Sequence, residues 1–566
     1  MADLGYLALI LALAVAVYSL VVALFGVKSG DRRLEESAKG GILAVAILVS
    51  VASLALVNLL VKSDFSVLYV YQYTSRSLPL FYKLSAFWAG NSGSLLLWAL
   101  VLTIYAAIVA YSQRHRHDKS LPYVNIILLI NTVFFLFALT FLANPFERTP
   151  VPVSDGYGLN PMLQNPGMVI HPITIFLGYV GFAVPFAFAM AALITKQTGD
   201  EWIKVTRRWS VIAWMFLSLG NLYGAQWAYV ELGWGGFWAW DPVENASFIP
   251  WLTATAFIHS VMIQERKDML KVWNMALIII TYLLTLFGTW LVRSGVMTSV
   301  HAFGTSDIGN FFLGFMALMT FASIGLLLFR MDSLKDGREF EGYLSRESSF
   351  LLNNLLLVGG AFAVFWGTIF PLVSQLVRGV TVTVGPPFFN QVAGPILLAM
   401  MLLMAICPLI AWRRASLAKT LRSCMWPLII SIPAGVLIYL TSGDSRLWPP
   451  FAFTVLIFVG LTHLKEFIAG VRIRHQLTKE SWLTALWRLV SKNRRRYGGY
   501  LVHLGVVLIS LAVVGTMGYQ TDITKTVHIG DTIEIEGYTL TYQGLREKPE
   551  GTNVVVYADM PVTKNG

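Results

Sequence analysis

The chain has 566 residues, of which 56% are hydrophobic and only 13% charged, with a mean hydropathy of +0.64. That balance excludes a water-soluble globular protein, in which about a quarter of residues are charged. The net charge of +11 does not mark a nucleic-acid partner either, because the basic residues are scattered over short loops with no aromatic-interleaved patch.

Apolar runs long enough to cross about 30 Å of hydrocarbon, at about 1.5 Å per residue, recur along the chain. They fall near residues 4–27, 40–61, 94–113, 122–143, 172–195, 209–224, 246–264, 272–292, 310–329, 351–376, 391–412, 424–440, 449–470 and 498–518. The expected fold is therefore an all-α polytopic membrane protein with about 14 transmembrane helices over residues 1–518. The first run lacks a basic segment before it and is followed by Lys28, Arg32 and Arg33, the reverse of a cleavable signal peptide, so the N-terminus is expected outside. Roughly 30 of the 42 Lys and Arg fall in alternate loops, which the positive-inside rule assigns to the cytoplasm of an inner-membrane protein.

The outer loops then carry the unusual sequence. Residues 63–93 hold aromatics and the run WAGNSGS, and 144–171 end in GLNPMLQNPGMVIH; both are expected to be ordered lids. Residues 225–248 read AQWAYVELGWGGFWAWDPVENASF, and 293–309 read RSGVMTSVHAFGTSDIG. An interfacial aromatic belt would explain tryptophans but not the interleaved glycines. Glycine admits close backbone approach and indole faces offer rigid stacking area, so Trp234, Trp238 and Trp240 suit a flat apolar ligand such as porphyrin. Asp241, Pro242 and Glu244 fit N-cap, N1 and N3 of a capping box opening the seventh span, a structural role.

Four histidines stand where iron ligation is chemically sensible. His171 and His301 lie at the outer face, level with the tryptophan loop; His259 and His503 each lie about five residues from a cytoplasmic helix end and share a depth. His463 competes on the same argument and ranks below His503, because Lys465 and Glu466 draw it toward the interface. His115, His117, His475 and His528 are read as solvated, the last on a strand. Cys407 and Cys424 have no metal-ligand spacing and read as apolar thiols. After the last span, KTVHIGDTIEIEGYTLTYQGL and TNVVVYADMPV alternate with period two around Gly-Asp and Glu-Gly turn signals, predicting a small, partial extracytoplasmic β-element over 519–566 with no obvious partner sheet.

WAYVELGWGGFWAWDPVENASFIPWL, with GLNPMLQNPGMVIHP, RSGVMTSVHAF and RRRYGGYLVHLGV, closely resembles the WWD-domain haem-handling proteins, specifically the CcmF-type haem lyase of bacterial cytochrome c maturation. The resemblance implies that His171 and His301 are axial ligands to transferred haem and that His259 and His503 hold a resident b-type haem. It implies haem delivery by a membrane-anchored haem chaperone and attachment to a reduced CxxCH motif of apocytochrome c, presented by thioreductase-like and apocytochrome-binding maturation subunits. Membrane quinol is the expected electron source. Two departures stand out: the family continues beyond Gly566 with more β-domain and a final span, and Ser92 stands where its pattern carries Glu. A haem transporter or exporter would also use many helices and an outer haem site, but no pair of broken helices marks a midplane substrate site. A quinol-oxidising cytochrome b would leave the tryptophan loop unexplained.

Overall fold

The computed structural model describes residues 1–112, 119–297, 299, 308–335, 345–410, 416–443, 445–550 and 553–564. His115, His117 and His301 lie outside the described residues. Thirteen of the described helices are long and apolar enough to cross a membrane, and the chain forms two compact units.

The first unit comprises Met1–Gly337, Thr368–Val384 and Lys525–Gly566. In order it contains α1 (Ala2–Ser29), α2 (Arg32–Lys62), the short α3 (Leu68–Tyr73) and α4 (Leu80–Ser85), α5 (Asn91–Ser112), α6 (Leu121–Phe137), α7 (Pro166–Gly181), α8 (Ala183–Thr195), α9 (Glu201–Glu231), α10 (Pro242–Lys267), α11 (Lys271–Ser294) and α12 (Ile308–Phe329). The α1–α2 turn is set by Gly30 in the left-handed region and by Asp31, whose carboxylate accepts from the Arg33 amide at 2.9 Å. The fifth predicted span is two helices, α7 and α8, parted at Phe182. The sixth, expected over 209–224, is the middle of the 31-residue α9, where Ser218, Asn221 and Gln226 interrupt the apolar run and keep it out of the thirteen.

Helices that face lipid on one side and protein on the other are apolar all round, so small and polar residues decide their contacts. Leu24, Phe25, Phe321 and Phe329 are exposed, whereas interhelical bonds lie inside: Tyr282 donates to Asn131, Thr281 to Thr253, and Asn274 to Gln264. Arg293 of α11 is 2% exposed and donates at 2.8 Å to Ser94, joining the start of RSGVMTSVHAF to the end of WAGNSGS. The two loops expected to be lids are tied together. The amides of Tyr157 and Gly158 donate to Tyr71 and Thr74, Arg76 reaches Asp155 and Ser154, and Tyr82 donates to the Gln164 carbonyl at 2.8 Å.

The C-terminal alternation folds as expected into strands, and it supplies its own partners. Thr532–Ile535 pairs antiparallel with Tyr538–Thr541 across a Glu536-Gly537 turn with both residues at positive φ, as a two-residue hairpin requires. Val562–Lys564 pairs on the other edge of Tyr538–Thr541, and Gly544–Glu550 pairs with Asn553–Asp559 as a second sheet. His528 precedes these strands rather than lying on one, because the Gly530-Asp531 turn intervenes; its side chain is 89% exposed, so the solvated reading holds.

The second unit comprises Arg338–Gly367 and Gly385–Thr524. The described helix α13 (Arg346–Arg378) spans its boundary with the first. The unit also holds α14 (Pro386–Ile406), α15 (Leu417–Ser442), α16 (Trp448–Thr478), α17 (Trp482–Lys492) and α18 (Gly499–Tyr519). Met401, Ala405, Cys424, Leu456, Val459 and Val507 bring α14, α15, α16 and α18 onto one core. Cys424 is buried and Cys407 half-buried, both free thiols as expected. Between α16 and α18, α17 is an amphipathic helix that buries Ala485 and Leu489 and exposes Trp482 and Trp487. His475 is not solvated: its ring stacks on Trp482 at 4.6 Å and its Nδ1 meets the Glu480 carbonyl. The hydrogen bond from Arg474 holds the Glu480 carboxyl below the usual carboxylate range.

Candidate functional site

Three elements of the first unit build the aromatic loop. The α9 helix ends at Glu231, and the chain then turns through Gly233 and Gly235, both at positive φ, before reaching Asp241. The Asp241 carboxylate accepts from the Val243 amide at 2.9 Å, and Glu244 Oε2 accepts from the Ala239 and Asp241 amides at 3.1 Å. This is the capping box read from sequence. Ser299 adds a 2.8 Å bond to Asp241, tying the chain after α11 to the start of α10.

Between the glycines and the cap, Trp240 sits at φ +60°, a backbone conformation costly for a bulky residue and kept only where the surroundings enforce it. Asn245 does so by donating at 3.1 Å to the Trp240 carbonyl and at 3.0 Å to Thr368. Trp238 and Trp240 meet edge to face at 5.9 Å, and both meet Phe248, which stacks on Trp251; Trp251 in turn stacks on Trp214. Phe237 stacks on Tyr229 at 4.4 Å. Trp234 lies outside the Trp238–Trp240–Phe248 cluster. Sequence reasoning missed Phe248, Trp251 and Asn245, although their spacing of three from one another on a helix was a usable signal. The indole Nε1 of Trp238 is buried with no hydrogen-bond partner among the described residues, an exception to the rule that buried donors are satisfied.

His171 is placed by an unusually close helix pair. A Cβ on Gly178 would meet the Leu217 amide at 2.7 Å, and one on Gly220 would meet Ile175 Cδ1 at 2.6 Å, so α7 and α9 approach almost backbone to backbone. The His171 ring thereby lies against Gly224, with Nδ1 2.8 Å from the Gly220 carbonyl. A methyl at Gly224 would stand 2.7 Å from His171 Cε1. Gly224→Ala is therefore expected to displace this imidazole, with helix propensity slightly improved. The expected outcome is loss of any function carried by the His171 ring with undiminished thermal stability, checked by a melt alongside a cytochrome c maturation assay.

His259 lies on α10, which continues unbroken through Pro250, so it sits roughly 25 Å along the helix axis from Pro242. Its Nδ1 is 2.8 Å from the Thr255 carbonyl. His463, on α16, is fully buried rather than drawn to an edge by its charged neighbours: Lys465 donates to the Ser423 carbonyl and Glu466 pairs with Arg496. Its Nδ1 is 2.9 Å from the Val459 carbonyl, and its Nε2 is 2.9 Å from Nδ1 of His503 on α18. A carbonyl only accepts, so in His171 and His259 the proton sits on Nδ1 and the lone pair on Nε2. That is the arrangement of an imidazole prepared to ligate iron, since ligating histidines typically donate their other N–H to a carbonyl or similar acceptor. Thus the structure brings Trp238 together with Trp240 and brings His503 to His463; His259 belongs to the first unit and His503 to the second.

The chain is thus a helical membrane protein carrying an aromatic loop over a capped helix, and residues 88–298 match the family model for cytochrome C assembly proteins. The chain is 36% identical, over 96% of its length and 80% of the relative's, to the cytochrome c-type biogenesis protein CycK of Rhizobium meliloti. It is 37% identical to the cytochrome c-type biogenesis protein CcmF of Pseudomonas aeruginosa, over 97% of this chain and 82% of that one. The CcmF protein of Escherichia coli is 35% identical over the same shares. A solved structure of the cytochrome c heme lyase CcmF superposes with a TM-score of 0.79 at 33% identity, covering 100% of this chain and 85% of that chain. The chain belongs to the CcmF/CycK family of cytochrome c-type biogenesis haem lyases.

Proposed function

We propose that the protein accepts haem from a membrane-anchored chaperone onto the tryptophan loop, on the extracytoplasmic side of the inner membrane, and joins it to the CxxCH motif of apocytochrome c. The single observation that carries this reading is the rigid aromatic cluster of Trp238, Trp240 and Phe248, in the same unit as the His171 ring with its proton on Nδ1. The Nε1 of Trp238, without a hydrogen-bond partner among the described residues, adds a donor held for a polar edge of the bound substrate. In the reaction each cysteine S–H adds across a vinyl C=C, sulfur bonding to one carbon and hydrogen to the other, with no leaving group and no net redox change. The protein's contribution is to hold the substrate haem with its vinyl edge toward the thiols, which converts a bimolecular attack into a positioned one. His171 and His301 supply the axial imidazoles that fix its orientation.

His259 and His503 are proposed to hold a resident b haem, and the donor set fits: both are helix-borne imidazoles, each with its Nδ1 engaged by a neighbour. When bound, that group supplies one-electron transfer from quinol to keep the substrate iron ferrous. Partners are the haem chaperone and the subunits that present reduced apocytochrome c. A His171→Ala, His301→Ala double variant is expected to bind the b haem normally and to mature no cytochrome c. Normal maturation by that variant would sink the proposal.

A further inference from the structure

We infer that His463 is a positioning residue which fixes the tautomer and ring orientation of His503 as an iron ligand, and so tunes the electron affinity of the haem held there. The inference rests on the resident-haem reading above and concerns a side chain that reading leaves without a role. His463 is 0% exposed, and its two ring nitrogens have different partners: the Val459 carbonyl at 2.9 Å from Nδ1 and His503 Nδ1 at 2.9 Å from Nε2.

The proton order follows from what each atom can do. The Val459 carbonyl only accepts, so His463 carries its proton on Nδ1. A doubly protonated His463 would bury a cation in an apolar core, so the neutral ring presents a lone pair at Nε2. His503 must then donate from Nδ1, and its own lone pair falls on Nε2. The chain of donors thus runs from His503 through His463 to the α16 backbone. The rings meet at 81° with centroids 5.1 Å apart, and Tyr500 stands edge-on against His463 at 5.2 Å, so the acceptor is walled in place. Thr462 also donates to the Val459 carbonyl, at 2.8 Å, and to that of Phe458.

An N–H engaged by a good acceptor makes the opposite nitrogen a stronger donor to iron and stabilises the oxidised metal. Purified full-length wild type and the variants His463→Leu, His463→Gln and His503→Leu, each loaded with haem, are compared by redox titration, low-temperature EPR and haem affinity. His463→Leu is expected to keep a low-spin haem at saturating haem, with about 10–100-fold weaker binding, a more positive midpoint and altered g values. His463→Gln, whose side-chain carbonyl can accept where Nε2 did, is expected to restore the wild-type potential. His503→Leu is expected to lose the bis-imidazole signal altogether. A His463→Leu protein with wild-type potential and g values would overturn the positioning role. Loss of the haem from His463→Leu but not from His503→Leu would overturn it by making His463 the ligand. A wild type with no bis-imidazole signal would overturn the resident-haem reading itself, together with this inference.

Discussion

Replacing His259 or His503 by Ala is expected to reduce the bound b haem from one equivalent to near none. On the bis-imidazole reading proposed above, each substitution removes one of the two iron ligands. At His259 the Thr255 carbonyl loses a local side-chain bond, which a helix tolerates because the backbone ladder is unchanged. The protein should therefore remain folded and membrane-inserted, and the loss should be specific to haem. Pyridine-haemochrome content per mole of purified protein measures it directly. Full content in His503→Ala would show that α18 supplies no ligand, and the same result in His259→Ala would show that α10 does not. His463→Leu serves as the internal comparison, since it is expected to weaken the site without emptying it.

Substituting Trp234, Trp238 and Trp240 together by Leu is expected to abolish haem attachment while leaving the b haem intact. Leucine retains the apolar character that anchoring at a membrane interface needs and removes the flat faces that stack. It also leaves the backbone problem at Trp240 unchanged, since Leu at φ +60° is no more comfortable than Trp, and Asn245 still holds the following turn. A loss of attachment of about 10²-fold or more is the scale expected when a reacting group is misplaced by about 1 Å. Haem should accumulate on the upstream chaperone, because its acceptor surface is gone. The readouts are covalent haem in the CxxCH partner and haem content of the chaperone. Unimpaired attachment would reduce the loop to an aromatic belt. Wild-type haem flux across partner-free vesicles would favour the transporter reading over the lyase.

Much of the site was legible in local pattern. The apolar runs marked thirteen of the fourteen expected spans, because hydrocarbon thickness imposes a length that composition reveals directly. The sixth was blurred because Ser218, Asn221 and Gln226 interrupt the apolar run of α9. The capping box at Asp241 and Glu244 was readable because its hydrogen bonds join residues three apart. The Glu536-Gly537 hairpin was readable for a similar reason: its turn chemistry is carried by two adjacent residues. The amphipathic α17 went unrecognised although its apolar face has helical spacing, because its tryptophans, Arg488 and Lys492 also fit a basic inner loop.

By itself, then, the sequence determined a multi-span helical membrane protein, its tryptophan loop and the histidines worth testing, each a matter of residue type and near neighbours. Tertiary structure alone decided what those residues touch. Depth along a helix follows from counting residues, but the face a side chain presents to its neighbour depends on the register of two helices, and in lipid the usual apolar periodicity that reveals it is erased. His463 lies 40 residues from His503, yet shares a hydrogen bond with it. His171 rests on Gly224 only because Gly178 and Gly220 let α7 and α9 approach. The strands after residue 531 had no visible partner until their hairpins folded back on one another, since strand pairing is a contact between backbones and not a property of either segment.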